Sequence, residues 1–470
     1  MKCFPLIKLI KTINATYFYD ANKNEILPLD QDIYQYLTSA SSIDEGMETR
    51  IHNLQESGYF LSSPVKKIEH PITKDIELIL SRRIQKITFQ LTQNCNFRCT
   101  YCHYTSNDGS QRAHTNKDMT IETAMKGLLF LREHSIDSPE IYIGFYGGEP
   151  LLKFDLLRNI VESAESIFFG KKINYTITTN ATLINEEIIE FFISHKIDVV
   201  ISLDGGREVN DENRVFAFDK RGSFDSVMKK IVLIKNKYPG FFKTLTINMV
   251  MNPKHDFDKI NTIFKEYPFL KKLNITSTIV DDLSSLEPNT YKECFTKKYE
   301  YHKFLTILAA LKRLPIKKVT PVFARYVSTL EDINRNFTPI DNLPETCVPG
   351  GPCTPGEVRL MLTIEENFIV CERVNEISDC MIIGNLKNGL QMDKVKALLN
   401  VGQLTSNECL ECWAFLNCCL CAKYADDHGT LCAQKKLKHC EFSKNLFSEK
   451  IAEKLLLEES YTFYNQKRVI

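Results

Sequence analysis

The stretch Cys95-Asn96-Phe97-Arg98-Cys99-Thr100-Tyr101-Cys102 sets three cysteines at the spacing C-x3-C-x2-C, directly after the alternating run Ile87-Thr88-Phe89-Gln90-Leu91. Three thiolates ligate three irons of a 4Fe-4S cluster and leave the fourth iron open, whereas an electron-transfer cluster takes four cysteines. An open iron can bind a substrate or a cofactor. The competing reading is a closed zinc site in which His103 joins the three cysteines as the fourth ligand.

Outward from this loop the chain alternates strand and helix. Strands are predicted at Ile87 to Thr92, Ile141 to Tyr146, Ile173 to Thr179, Asp198 to Leu203, Thr244 to Val250 and Leu273 to Ile279. Helical stretches lie between them, including Ile121 to His134, Phe154 to Phe169, Glu186 to Ser194 and Phe224 to Lys237, and a long helix is expected over Lys292 to Arg313. Six such units predict a parallel sheet covered by helices. In barrels of this kind chemistry sits in the loops after the strands, and each polar motif falls there. The second strand ends in Tyr146-Gly147-Gly148-Glu149-Pro150, where two glycines permit close backbone approach to a ligand and Glu149 offers a carboxylate. The third ends in Thr179-Asn180-Ala181 and the fourth in Ser202-Leu203-Asp204-Gly205, with Arg214 shortly beyond. Asp204 reads equally as a cap for the following loop and as a ligand contact.

C-x3-C-x2-C with an aromatic residue before its last cysteine, followed one helix and one strand later by GGEP, resembles the signature of the radical S-adenosylmethionine (SAM) enzymes. The resemblance implies an α/β fold built on a partial (β/α)6 barrel. It implies that Cys95, Cys99 and Cys102 hold a 4Fe-4S cluster whose open iron chelates SAM. One electron then cleaves SAM to methionine and a 5'-deoxyadenosyl radical that abstracts hydrogen. Carried over position by position, Tyr101, Gly147, Gly148, Glu149, Asn180, Ser202 and Arg214 border SAM, and Ile247 on the fifth strand contacts adenine. Ala181 departs from the family's TNG segment, and its methyl group narrows the permitted backbone angles.

Residues 1–84 read as a separate small unit: short strands at Tyr17-Phe18-Tyr19 and Glu25 to Leu29, then helices at Gln31 to Ser39 and Glu48 to Ser57. Order and size resemble the winged-helix-like leader-binding domains of peptide-modifying enzymes, which add a peptide as an extra strand at a sheet edge. A purely structural cap on the barrel is the other reading. The barrel is expected over residues 85–340.

Residues 341–470 are cysteine-rich. Of 16 cysteines in the chain, the tail carries Cys347, Cys353, Cys371, Cys380, Cys409, Cys412, Cys418, Cys419, Cys421, Cys432 and Cys440. Val358 to Thr363 and Phe368 to Cys371 read as a hairpin, with Asn367 where left-handed angles are tolerated. The arrangement resembles the SPASM domain with two auxiliary 4Fe-4S clusters, three clusters in all. The resemblance gives Cys347, Cys353, Cys371 and Cys421 to one and Cys409, Cys412, Cys418 and Cys440 to the other. Cys419 competes with Cys421, and Cys432 with Cys440. Read as zinc ribbons, Cys409-x2-Cys412 and Cys418-x2-Cys421 form a C-x2-C pair. Glu372 stands where sulfatase-maturing relatives have an acidic base, and a salt bridge with Arg373 or a lysine is its alternative role.

Composition excludes other classes. The 470 residues suffice for about three domains, with 43% hydrophobic and 25% charged. Lys+Arg and Asp+Glu both total 59, so no nucleic-acid partner is indicated. No apolar run reaches the roughly 18 to 20 residues of a membrane helix, the start lacks a signal-peptide cleavage site, and the cysteines point to a reducing cytoplasm. The resemblance is greatest to SPASM maturases of cysteine-rich ribosomal peptides, of the sactipeptide and ranthipeptide type. It implies thioether crosslinking of a cysteine-rich precursor peptide whose leader the N-terminal unit holds, with electrons from a flavodoxin- or ferredoxin-type reductant. Formylglycine formation, as by anaerobic sulfatase-maturing enzymes, is the rival within enzymes. A metal-cluster electron carrier or zinc-binding module that does not use SAM is the rival outside them.

Overall fold

The computed structural model describes residues 6–39, 45–102, 104, 112–280 and 290–467, with side chains to 461; His103 and Cys3 lie outside them. Its first element is an antiparallel sheet of β1 (Ile7–Lys11), β2 (Thr16–Asp20) and β3 (Glu25–Leu29), in that order. Alternation along β2 divides this sheet. Phe18 packs with Leu29, Ile33 and Phe60 in a small core of its own, while Tyr19 turns to the main body and meets Trp413 and Phe447 edge-on. The unit is further tied in where β4 (Lys67–Ile68) pairs with the strand Thr346–Cys347.

Six parallel strands follow: β5 (Lys86–Thr92), β6 (Glu140–Gly147), β7 (Lys172–Thr179), β8 (Ile197–Ser202), β9 (Thr246–Met251) and β10 (Asn274–Ile279). They lie side by side in chain order, joined by helices that include Ile121–His134, Phe154–Ile167, Glu186–Ser194 and Phe224–Lys237. This is the α/β barrel-type sheet, ended by β10 on one side. The helix starts have local causes: Thr120 accepts from the Thr123 N–H and Asn185 from that of Ile188, satisfying donors that lack an intrahelical partner.

On its other side the sheet does not stop at β5. The short strand β12 (Met361–Leu362) pairs parallel with it, Met361 opposite Thr88, and β13 (Asn367–Ile369), β14 (Ile382–Asn385) and β15 (Gly389–Leu390) continue antiparallel; the strand Thr346–Cys347 is β11. The cysteine-rich region is thus hydrogen-bonded to the barrel's first strand. Its β12–β13 hairpin is shorter than the sequence suggests, and the left-handed residue is Glu366 (φ 61°) rather than Asn367, which begins β13. The closing helix runs Glu293–Ala310 and ends before a left-handed Lys312. It buries Phe295, Thr306, Ile307, Ala309 and Ala310, while Phe304 is 51% exposed. Among the described residues no helix is long and apolar enough to cross a membrane.

Candidate functional site

Register decides which side chains enter the barrel. Phe89 lies opposite Phe145, Phe145 opposite Ile177 and Ile177 opposite Val199. A side chain on Gly127 of the helix Ile121–His134 would meet the Phe89 ring at 2.8 Å, so this row faces the helices. Ile201 shares that face with Val199, because strand side chains alternate, and Ile247 is opposite Ile201. Ile247 therefore packs in the helix-facing core, 2% exposed, and is corrected from an adenine contact to a core residue. The inward neighbours are Gln90, Tyr146, Ser202 and Asn248.

The cysteine loop leaves β5 beside the end of β6 and is strapped to residues 213–217. Arg98 and Thr100 donate their N–H groups to the carbonyls of Val215 (2.9 Å) and Asn213 (3.0 Å), and Ala217 donates to Asn96. Cys95, Cys99 and Cys102 lie near enough there for their charges to act on one another. Burial pushes the Cys99 thiol up to about 12 and that of Cys95 higher, with the neighbouring thiols adding to the effect. A metal cluster fits such a set by displacing protons that a bare buried thiol retains.

The two glycines act on this loop. A Cβ on Gly148 would sit 2.0 Å from the Asn94 carbonyl oxygen, and one on Gly147 2.3 Å from that of Thr92. With both absent, Gly148 donates to Thr92 (2.8 Å) and Glu149 to Asn94 (2.9 Å). The close approach is to the loop backbone. Glu149, 1% exposed, accepts from Leu151 N–H (3.0 Å) and the Thr179 hydroxyl (2.7 Å) at Oε1, and from Asn180 N–H (2.7 Å) at Oε2. Burial raises its carboxyl and these donors oppose the rise. Asn180 donates from Nδ2 to Asn96 (2.7 Å) and accepts from Thr182, while Ala181 takes the left-handed angle (φ 63°). Glu149 and Asn180 thereby lock the ends of β6 and β7 to the cysteine loop.

Asp204 is neither a loop cap nor exposed. It is fully buried, accepts from the Tyr101 hydroxyl (2.5 Å) and the Val250 N–H (3.1 Å), and stands 3.0 Å from Nε of Arg214. That Nε–H points off the oxygen and has no hydrogen-bond partner among the described residues, so the pair is a charge contact. Arg214 also lies 5.5 Å over the Tyr101 ring and 3.9 Å from Sγ of Cys99.

A second buried network joins the barrel mouth to the cysteine-rich region, and no sequence motif announced it. Glu376 accepts from Gln90 (2.5 Å), Gln93 (2.8 Å) and, at 3.5 Å, Arg112. Arg112 donates to the Glu372 carbonyl (2.8 Å) and stacks over Tyr104 at 4.6 Å. The Glu372 carboxylate bonds Arg359 (2.9 Å) rather than Arg373 or a lysine, and its charge acts on Tyr146 and on Lys86.

The tail cysteines form two sets. Burial first, then Glu372, pushes Cys371 up to about 11, and Cys421 and Cys353 add to it; Cys421 feels Cys353 in turn. Cys347 stands apart on β11, its thiol toward the Val348 carbonyl. Cys409, Cys412, Cys418 and Cys440 line one cavity of about 190 Å³. Four thiols around one space are a donor set that a 4Fe-4S cluster can use. Cys432 instead meets Gln434 (3.4 Å), and Cys419 is exposed. Among the described residues no three His, Cys, Asp or Glu side chains converge on one ion.

Residues 89–267 match the radical SAM superfamily. An uncharacterized protein of Methanocaldococcus jannaschii is 32% identical over 233 residues, 50% of this chain and 73% of that one. The cysteine-type anaerobic sulfatase-maturating enzyme of Clostridium novyi is 32% identical over 221 residues; the match spans 44% of this chain and 57% of the relative's length. Among solved structures, native anSMEcpe with bound AdoMet and Kp18Cys peptide superposes with a TM-score of 0.55 at 20% identity, covering 78% of this chain and 98% of that one. This chain belongs to the radical SAM superfamily and has the fold of its enzymes.

Proposed function

We propose that this protein is a peptide maturase that forms thioether crosslinks between cysteine sulfurs and carbons of a ribosomally made, cysteine-rich precursor. The observation that carries the reading is the pairing of β12 with β5. It joins the cysteine-rich region, which carries Cys353, Cys371, Cys421 and Glu372, to the barrel's own first strand instead of leaving it a detached module. Cys95, Cys99 and Cys102 would hold a 4Fe-4S cluster that with SAM would supply hydrogen-atom abstraction, and the tail thiols would hold a cluster that would supply an electron acceptor.

The chain's own residues prepare that chemistry. Glu149 and Asn180 fix the loop so that its sulfurs keep their places. Arg214 presents its guanidinium nitrogens to a SAM carboxylate, while Asp204 balances its charge and orients Tyr101. Ser202, on the inward face, has a hydroxyl without a partner among the described residues and adds a polar contact. Glu372, held through one oxygen by Arg359, takes the proton of the substrate thiol with the other. A C–H and an S–H bond are lost and a C–S bond forms; one hydrogen atom, one proton and one electron leave. A flavodoxin- or ferredoxin-type protein supplies the reducing electron.

The N-terminal sheet supports a peptide with a leader. Both β1 and β3 are edge strands, able to pair with an added strand. The sulfatase-maturating relative supports formylglycine formation as the second reading. Mass spectrometry of cysteine-rich peptides co-expressed anaerobically with this protein separates them. Thioether formation removes two hydrogens per modified cysteine and blocks its alkylation. A peptide whose cysteine has lost its sulfur overturns the thioether reading.

A further inference from the structure

Lys436 is a buried cation without a carboxylate. It is 1% exposed, on the short helix Ala433–Leu437, and among the described residues it makes no ion pair. Its Nζ donates to Oγ1 of Thr405 at 2.7 Å and to Sγ of Cys409 at 3.7 Å. Thr405, also 1% exposed, lies 3.2 Å from the same sulfur; since its oxygen accepts from Lys436, its proton is free to point at the sulfur. Of the other charged groups bordering this cavity, Lys444 pairs with Glu441 at 2.9 Å, and Glu408 does not reach Lys436.

An uncompensated ammonium in a protein interior is costly and calls for a negative partner. The cavity's four thiols supply one only when they are thiolates. A 4Fe-4S cluster on four thiolates carries two net negative charges when oxidised and three after accepting one electron, and net charge and hydrogen bonds to sulfur set its potential. A fixed positive charge favours the more negative state. Uptake of that electron requires no proton and breaks no bond.

We infer that Lys436, through its charge and through Thr405, raises the reduction potential of the cluster held by Cys409, Cys412, Cys418 and Cys440. It is a positioning residue for electron transfer and does not touch substrate. The inference rests on the reading of those four cysteines as cluster ligands, and it assigns this cluster the part of an electron acceptor.

The test is a dithionite redox titration, followed by electron paramagnetic resonance, of the full-length chain reconstituted with iron and sulfide. The signal belonging to this cluster is the one lost, together with bound iron, in Cys412→Ala. In Lys436→Met that signal alone moves to more negative potential. Lys436→Arg returns it toward wild type, and Thr405→Val, which removes only the hydroxyl, moves it in the same direction by less. If Cys412→Ala loses no iron, the ligand reading and the inference fall together. If the signal is present but its midpoint is the same in Lys436→Met and Thr405→Val as in wild type, the inference alone falls. Thr405→Val keeps the test decisive should Lys436→Met not fold.

Discussion

Nε of Arg214 lies 3.0 Å from Oδ1 of Asp204, with the arginine side chain 8% exposed and the aspartate fully buried. The same carboxylate holds Tyr101 of the cysteine loop, so one buried charge organises both Arg214 and Tyr101. Removing one partner of a buried ion pair costs about 3–5 kcal/mol, because the other charge remains uncompensated. Asp204→Asn should lower the unfolding free energy by that order. Asp204→Asn with Arg214→Met should recover part of the loss, and a double variant no more stable than the single one would show that the pair does not carry the cost.

Gly148→Ala tests the fit of GGEP against the cysteine loop. Its Cβ would fall 2.0 Å from a backbone oxygen, which cannot rotate away as a side chain can. Overpacking of this kind costs about 1–3 kcal/mol. The variant should be less stable by that amount and bind less iron on reconstitution. Full iron loading at unchanged stability would count against the locking role.

Glu372→Gln should separate radical generation from bond formation. Loss of a positioned base lowers rates about 10²- to 10⁴-fold, so thioether yield should drop by at least two orders of magnitude while 5'-deoxyadenosine still accumulates. Equal loss of both products would point to a structural role through Arg359.

His114 provides a pH signature. Burial, reinforced by Arg98, lowers its imidazole from 6.5 to about 4. The unfolded chain then takes up a proton near pH 6.5 that the folded chain refuses, so stability falls as pH drops from about 6.5 to about 4 and this contribution is flat below. The shift corresponds to at most about 3 kcal/mol, and solvent screening of a partly exposed ring reduces it to about 1–2 kcal/mol. The wild type should lose that much more than His114→Gln over this range. Parallel stability profiles would contradict it.

Elements with a strong local period were legible in the sequence: the six parallel strands end within a few residues of where alternation and turn composition placed them. Contacts between segments far apart in the chain were not. Arg112 and Glu376 are 264 positions apart, and β12 is two residues long, too short for any period to show that it extends β5. Ile247 was assigned to the wrong face because strand side chains alternate, and its parity is visible only through its register with Ile201. Glycines 147 and 148 were recognisable, yet what they approach is the Thr92 and Asn94 backbone, which no spacing rule names. The choices between Cys419 and Cys421, and between Cys432 and Cys440, turn on which thiols share a neighbourhood, and they are ligand assignments for reconstitution experiments to check.

The most direct test of peptide maturation is the fate of hydrogen from the substrate. A fully deuterated cysteine-rich precursor, incubated anaerobically with SAM, reductant and the cluster-loaded protein, should yield 5'-deoxyadenosine that has gained one deuterium for each thioether formed. Thioether-bearing peptide alongside unlabelled 5'-deoxyadenosine, or SAM cleavage with no change in the peptide, would contradict it.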